Sequence, residues 1–158
     1  MASNVYKVIN KLFKKTKFIF DLDKTIWDCT IEYTPKITLD QVHNKINPDA
    51  FKILRILQEN DFSLNIASRS SEPEKCRFFI NECFNDINFD NISIYPTPEY
   101  KNNHIQDCYL NQVPENFIMF DDEKNILDNL NKNYKNCIPI HCKTPLNFQT
   151  FMHLDKKI

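Results

Sequence analysis

Short apolar runs alternate with amphipathic segments of helical length along most of this chain, and the alternation limits the folds open to it. Strands are predicted at residues 18–21, 63–67, 92–95, 117–120 and 137–141, and helices at 47–60, 71–84, 104–110, 124–131 and 147–154. Strands that alternate with helices of about ten residues are typical of parallel sheets. We therefore predict an α/β fold in which a central parallel five-stranded sheet carries helices on both faces.

Local signals indicate where two of these helices begin and end. Asn47 suits an N-cap, Pro48 suits the first helical turn, and Asn60 suits a C-cap. Ser71 and Glu74 have the Ser-x-x-Glu spacing of a capping box. The sequence therefore predicts one helix bounded by residues 47 and 60, and another that is capped by Ser71.

Two segments lie outside the alternating pattern. Residues 1–16 are basic and are predicted to form a helix or an arm. The apolar side of this segment would pack on the domain or, in the alternative, contact anionic membranes. That side consists of Val5, Val8, Ile9 and Leu12.

The second segment, about 28–46, alternates apolar and polar residues after Ile31 and is predicted to form a small hairpin or flap. About 45 residues separate Asp23 from Ser68, and a helix uses many of them. No room remains for a large cap domain. We therefore expect residues 1–158 to form a single domain with a minimal hairpin cap.

The composition is typical of a soluble globular protein. Of the 158 residues, 42% are hydrophobic and 26% are charged, and no apolar stretch approaches the ~20 residues of a membrane span. The first 17 residues lack the continuous apolar core of a secretory signal, so we expect a cytoplasmic protein without a transmembrane segment. A formal net charge of −1 gives no strong signal for nucleic acid as a partner, and no oligomeric state is indicated.

Cysteine and glycine usage excludes several kinds of site. The six cysteines form no C-x-x-C pair, and none stands at zinc-ligand spacing with a histidine, so free thiols are expected rather than disulfides. The chain contains no glycine. Glycine-rich phosphate loops of the Walker or Rossmann type are therefore excluded, and Asn or Asp is expected at most backbone positions with positive φ.

In the stretch FIFDLDKTIW, a predicted strand of apolar residues is followed directly by two acids. Side chains alternate along a strand, so Asp21 and Asp23 start on the same face. At about 5 Å and an effective dielectric constant near 20, their carboxylates repel each other by roughly 3 kcal/mol. We therefore expect a positive group between them. In the alternative, Asp23 caps backbone amides in the turn after the strand.

Polar side chains collect at the carboxyl ends of the predicted strands, where parallel α/β sheets bind ligands. Acids that would repel each other can share Mg²⁺, which takes oxygen ligands, and a lysine with a hydroxyl suits phosphate oxygens. The sequence thus predicts a magnesium and phosphate site at this edge of the sheet. Its candidate residues are Asp21, Asp23, Ser68, Arg69, Lys101, Asp121 and Asp122.

Four residues near this site have simpler alternatives. Ser68 and Arg69 could merely begin the loop before a capped helix, and Arg69 could pair with a surface acid. Lys101 could be an ordinary loop lysine, since the chain has 17 lysines. Trp27 fits a core or lid position as well as a substrate contact.

Four motifs, in order across residues 17–142, resemble those of the haloacid dehalogenase superfamily: DLDKT, the Ser68 that ends SLNIAS, Lys101, and FDDEKN. The chain is most similar to the magnesium-dependent phosphatase family. It resembles that family in the tryptophan of DLDKTIW, in ASRS, in IYP before the lysine and in FDDE. The resemblance implies a Rossmann-like fold with a small cap and phosphoryl transfer through an aspartyl-phosphate.

The resemblance also implies a role for each candidate residue. Asp21 would be the nucleophile and Asp23 the general acid and base. The phosphoryl group or the substrate would be bound by Ser68, Arg69 and Lys101, and Mg²⁺ by Asp21, the backbone carbonyl of Asp23, Asp121 and, directly or through water, Asp122. Asn125 stands one residue earlier than the family's pattern has its next polar residue, so it receives no role.

The function that this resemblance implies is a Mg²⁺-dependent phosphomonoester phosphatase. Its open site would admit phosphotyrosine on a protein or the phosphate of a small molecule such as a sugar. A polynucleotide end phosphatase is an alternative, although the charge balance offers no basic surface along which a nucleic acid could bind. A catalytically silent binding protein is another. A phospho-accepting receiver module is disfavoured by the order of the acids. Receivers have an acidic pair after the first strand, the acceptor aspartate after the third and a lysine after the fifth, whereas here the Asp-x-Asp motif follows the first strand and the acidic pair follows the fourth.

Overall fold

A five-stranded, all-parallel sheet forms the centre of the structure, a computed structural model that describes residues 2–110, 112 and 114–158. The strands lie in the order β3-β2-β1-β4-β5. This arrangement confirms the predicted sheet. The strands are β1 (Lys17–Phe20), β2 (Ser63–Ser68), β3 (Asn91–Ile94), β4 (Phe117–Asp121) and β5 (Cys137–His141).

Helices connect the strands as the alternating pattern predicts. They are α1 (Ala2–Ile9), α2 (Leu39–Asn44), α3 (Pro48–Glu59), α4 (Pro73–Cys83), α5 (Asn102–Cys108), α6 (Lys124–Asn133) and α7 (Phe148–Met152), with 3₁₀ helices at Ile31–Tyr33 and His153–Lys156. Within the described residues, none of these helices combines the length and the apolar character needed to cross a membrane.

The ends of α3 follow the predicted signals, but the start of α4 does not. The Asn47 side chain accepts a hydrogen bond from the Asp49 N–H at 2.9 Å, as an N-cap does. The capping box predicted at Ser71 is wrong, because the N-cap of α4 is Glu72 and its side chain makes no capping bond. The Ser71 hydroxyl instead donates to the Glu32 carboxylate at 2.6 Å. Ser71 therefore ties the flap to the loop after β2.

The prediction of a hairpin at 28–46 is wrong. The segment, all of which is described, contains a 3₁₀ helix and α2 but no strand. A capping box forms inside it: Thr38 Oγ1 accepts from the Gln41 N–H at 3.3 Å, and Gln41 Oε1 accepts from the Thr38 N–H at 2.9 Å. These reciprocal bonds stabilise a helix start where the alternation of residues indicated a strand. The expected absence of a large cap is confirmed.

Alternate residues of the central strands enter two separate hydrophobic clusters, one on each face of the sheet. Phe18 and Phe20 pack in the cluster that contains the buried residues of α1, α3, α4 and α7. Ile19 packs on the other face, with the buried residues of α5 and α6. Helices therefore cover both faces of the sheet. Successive side chains of β1 point to opposite faces, so alternate residues of this strand enter different clusters.

The N-terminal helix packs on its own domain. Val5 and Val8 are fully buried and Ile9 is nearly so, in the cluster that includes α3 and α7. Lys11 adds an ion pair with Asp155, with 2.6 Å between Nζ and Oδ1. The apolar side of α1 is thus covered by the protein itself, which agrees with packing on the domain rather than with contact to a membrane.

All six cysteines are buried and unpaired, as predicted: Cys29, Cys76, Cys83, Cys108, Cys137 and Cys142. Burial raises the pKa of the Cys76 and Cys108 thiols to about 12. These thiols therefore remain protonated near neutral pH and are weak nucleophiles.

The packing of α1 predicts how the chain responds to substitution there. Val8→Ala is expected to lower the free energy of unfolding by about 2 kcal/mol, because a fully buried branched side chain is truncated. Lys7→Ala, on the exposed side of the same helix, should change it by less than about 0.5 kcal/mol. Urea unfolding measures both values. Equal effects of the two substitutions would contradict the packing of α1.

Candidate active site

The strand order brings the carboxyl ends of β1 and β4 together. The chain runs from β1 through β2 to β3 on one side and then returns to place β4 on the other side of β1. Ligands of open α/β sheets bind where the order reverses in this way. The Asp21 N–H donates to the Phe120 carbonyl at 2.9 Å, directly before Asp121. Asp21 and Asp121 therefore lie on neighbouring strand ends.

Lys101 supplies the positive group that the repelling acids require. Its Nζ lies 2.7 Å from Oδ1 of Asp21 and 2.7 Å from Oδ2 of Asp121, and all three side chains are buried. Burial alone would lower the pKa of Lys101, but the two carboxylates raise it above its usual value. The lysine is therefore charged, and it joins Asp21 to Asp121 rather than to Asp23.

The remaining oxygens of these two acids also have donors. The Thr25 hydroxyl donates to Oδ2 of Asp21 at 3.2 Å, and the Glu123 N–H donates to Oδ1 of Asp121 at 2.9 Å. Both carboxylates are thus held in one orientation. The sequence predicts no role for Thr25, although the motif DLDKT contains it.

Asp23 is held by a different set of donors. The Trp27 indole N–H donates to Oδ1 of Asp23 at 2.8 Å, and the Ile31 N–H donates to the same oxygen at 3.3 Å. Burial raises the pKa of Asp23 above its usual value, although these two bonds lower it. Trp27 itself is fully buried and meets Phe79 edge-on, with 6.3 Å between ring centroids. It is a core residue that orients Asp23.

The turn after Asp23 is made without glycine. Lys24 adopts a φ of 63°, and its N–H donates to the Trp27 carbonyl at 2.8 Å. A non-glycine residue in this left-handed region costs roughly 1–2 kcal/mol. The other described residues with positive φ are Asp61 and Leu110. Among the described residues, the expectation that Asn or Asp takes such positions is therefore met only at Asp61.

Three acids form a group that could hold a metal ion. Asp21, Asp121 and Asp122 each offer one oxygen, and these oxygens lie within 4.8 Å of one another. Burial, and then the charge of Asp21, raises the pKa of Asp122 to about 8. A cation would relieve this crowding of negative charge. The all-oxygen donor set fits Mg²⁺, which binds through a few carboxylates and keeps several water ligands.

The structure brings all seven predicted site residues together around one cleft of about 330 Å³. Ser68 is buried at the end of β2. Arg69 lies at the rim, where Nη1 donates to the Glu99 carbonyl at 2.9 Å and Nη2 contacts the Glu123 carboxylate at 3.1 Å. Arg69 therefore has acceptors on two neighbouring loops. One of them, the half-exposed Glu123 carboxylate, is a surface acid, as the simpler alternative for Arg69 predicts.

Several residues that line the cleft are not predicted by the sequence. They are Lys24, Thr30, Glu32, Tyr33, Ser70, Thr97 and Glu123. Thr30, Glu32 and Tyr33 belong to the flap. The hairpin predicted for this segment gives no indication that they line the cleft. Asn125 is exposed in the first turn of α6 and does not line the cleft. The geometry assigns it no part in the site.

Residues 15–154 match the family described as Acid Phosphatase. This region includes every candidate site residue and all five strands. No curated protein matches the sequence significantly.

Two solved structures share the fold. D,D-heptose 1.7-bisphosphate phosphatase from B. bronchiseptica, solved with magnesium and phosphate, aligns with a TM-score of 0.61 and 13% identity over 87% of each chain. The HAD domain of effector protein Lem4 from Legionella pneumophila aligns with a TM-score of 0.53 and 17% identity, over 91% of this chain and 94% of that chain. These similarities confirm an α/β fold of the haloacid dehalogenase type.

The buried ion pairs of Lys101 predict a large effect on stability. Lys101→Met is expected to lower the free energy of unfolding by roughly 3–5 kcal/mol in a metal-free buffer, because two buried carboxylates lose their cation. The matched control is Lys24→Met, which removes a half-exposed ammonium 3.4 Å from Asp28 and should cost less than about 1 kcal/mol. Urea unfolding measures both, and a Lys101→Met protein as stable as the parent would contradict this account.

Proposed function

We propose that this chain, which belongs to the acid phosphatase family and is a phosphatase of the haloacid dehalogenase type, hydrolyses phosphomonoesters through an aspartyl-phosphate formed on Asp21. The observation that carries the proposal is the contact of Lys101 with both Asp21 and Asp121. This contact places a carboxylate that can act as a nucleophile beside a fixed positive charge and a second carboxylate, all of them lining an open cleft.

The first chemical step would be in-line attack by a carboxylate oxygen of Asp21 on phosphorus. The bond between phosphorus and the ester oxygen breaks, and Asp23 donates its proton to that leaving oxygen. The raised pKa of Asp23 supports this role, because a general acid must hold its proton until the transition state. The products of this step are the free alcohol and a phosphorylated Asp21.

The second step would return Asp21 to its starting state. Asp23, now ionised, takes a proton from a water molecule as that water attacks the phosphorus of the aspartyl-phosphate. The bond between phosphorus and the Asp21 oxygen breaks, and inorganic phosphate leaves. The bonds from Trp27 and Ile31 support this exchange of roles, because they hold Asp23 in one position for both steps.

Positive and hydroxyl groups around Asp21 would bind the transferring phosphoryl group. The Lys101 ammonium lies 2.7 Å from Asp21, and Ser68 ends the neighbouring strand. Both would donate to phosphoryl oxygens as negative charge redistributes in the transition state. Arg69 would act at the entrance, where substrate oxygens can compete with Glu99 and Glu123 for its guanidinium.

The proposed metal is Mg²⁺. It would be held by Asp21, Asp121, the backbone carbonyl of Asp23 and, directly or through water, Asp122. The closeness of the three carboxylates and their all-oxygen chemistry support this assignment. Bound there, Mg²⁺ would neutralise charge on the phosphoryl group and orient it toward Asp21.

The shape of the cleft favours substrates with an accessible phosphate. The flap contributes only a 3₁₀ helix and α2, so no cap domain encloses the leaving group. Tyr33 lines the cleft with 80% of its surface exposed. Phosphotyrosine on a protein and the phosphate of a sugar are therefore the proposed substrate classes.

Hydrolysis of p-nitrophenyl phosphate, with and without Mg²⁺, tests the mechanism. Asp21→Asn is expected to lower kcat by more than about a thousandfold, because it removes the nucleophile. Asp23→Asn should lower kcat by about 10²–10⁴-fold while phosphate still binds. Chelation of Mg²⁺ should abolish turnover of the unmodified protein.

The matched control is Asp128→Asn, which removes an exposed acid paired with Lys124 outside the cleft. It should retain the activity and the Mg²⁺ dependence of the unmodified protein. Turnover that survives Asp21→Asn, or that is indifferent to Mg²⁺, would refute the mechanism.

A further inference from the structure

His104 is a buried histidine that the proposed reaction does not use. It lies in the first turn of α5, three residues after Lys101, and none of its surface is exposed. Its Nε2 is 2.9 Å from the carbonyl oxygen of Tyr95, the residue after β3. Because a carbonyl oxygen only accepts, Nε2 carries the proton of this bond. The histidine thus joins α5 to the end of β3.

The surroundings of His104 favour a neutral, immobile ring. Its imidazole stacks on the Tyr95 ring with 4.1 Å between centroids and 13° between planes. Burial lowers the pKa of His104 below its usual value. Its Nδ1 is the one buried side-chain nitrogen or oxygen in the described part of the chain that lacks a hydrogen-bond partner. A buried nitrogen without a partner lowers the stability of the fold, and a phenyl ring would keep the stack without that nitrogen. The contribution that only histidine makes is therefore the Nε2 bond to Tyr95.

Tyr95, which His104 contacts, is itself tied to the site. The Tyr95 N–H donates to the Ser68 carbonyl at 3.1 Å, and its hydroxyl donates to Asp107 of α5 at 2.7 Å. Residues 96–100, between Tyr95 and Lys101, form no helix or strand. The first turn of α5 is therefore the regular element that adjoins Lys101, and positions 101 and 104 lie on one side of it.

We propose that His104 is a positioning residue of this site: it anchors the first turn of α5 to the end of β3 and so holds Lys101 between Asp21 and Asp121. The catalytic consequence of this inference rests on the proposed function. Lys101 must keep 2.7 Å contacts with two acids at the ends of different strands. A displacement of about 1 Å at such a position can cost about 10²-fold in rate.

Two substitutions separate the hydrogen bond from the ring. His104→Phe keeps an aromatic stack and removes the donor, so we expect kcat to fall about 10- to 100-fold with KM changed by less than about threefold. His104→Gln restores an N–H near the position of Nε2 and should recover most of kcat. Leu130→Ala, on α6 in the hydrophobic cluster that also contains Ile105 of α5, controls for a general loss of stability and should leave kcat near that of the unmodified protein.

Amide hydrogen exchange gives a second readout that does not need activity. The Ile105 N–H donates to the Lys101 carbonyl at 3.0 Å, so its exchange rate reports whether the first turn of α5 is held. Exchange at Ile105 should accelerate at least about tenfold in His104→Phe and stay near the unmodified rate in His104→Gln. It should also stay near that rate in His153→Phe, which alters an exposed histidine of the last 3₁₀ helix.

The two readouts keep the inference separate from the proposed function. If the unmodified protein hydrolyses no phosphomonoester, the proposed function fails, and exchange at Ile105 still decides whether His104 anchors α5. An unchanged exchange rate in His104→Phe would overturn the anchoring role. Equal losses of kcat in His104→Phe and Leu130→Ala would overturn the link to Lys101, because general destabilisation would then explain both.

Discussion

The buried contact of Lys101 with Asp21 and Asp121 is the interaction on which the rest of the site depends. Two carboxylates at adjacent strand ends would be costly to bury without a cation, and the lysine reaches both at 2.7 Å. The sheet order makes this necessary, because it places β4 directly beside β1. A sheet that ends in neighbouring acids is therefore stabilised by a positive charge between them, and the same charge suits a phosphoryl group.

The second acid of the first motif lies in different surroundings. Asp23 is oriented by the buried indole of Trp27 rather than by the lysine, through a turn in which Lys24 takes a left-handed conformation. A chain without glycine accepts that strain here, and the bond from Trp27 to Asp23 holds the turn in place. The two acids consequently lie in different environments, as two different chemical tasks require.

Much of the fold follows from local patterns. The predicted strands agree with the observed ones to within one residue at each end, because buried parallel strands are short apolar runs bounded by polar residues. The flap departs from its prediction because Thr38 and Gln41 cap a helix within a run that alternates like a strand. Ser71 is not a cap because a distant acid, Glu32, accepts from its hydroxyl, and a local pattern contains no such partner.

The site is predictable where it depends on strand ends and unpredictable where it depends on loops. Asp21, Ser68 and Asp121 lie together because parallel strands end at one edge of the sheet. The position of Lys101 depends on the path of residues 96–100 and on the anchoring of α5, neither of which has a periodic signal. The flap residues that line the cleft are equally unpredictable, because their position depends on how the flap folds and no periodic signal indicates that fold.

The stereochemical course at phosphorus tests the central claim, that Asp21 carries the phosphoryl group, most directly. A substrate whose phosphorus is made chiral with oxygen isotopes is hydrolysed, and the configuration of the product phosphate is determined. Each in-line displacement inverts phosphorus, so transfer to Asp21 followed by attack of water predicts overall retention. Overall inversion would mean that water attacks the substrate directly, and it would contradict the account.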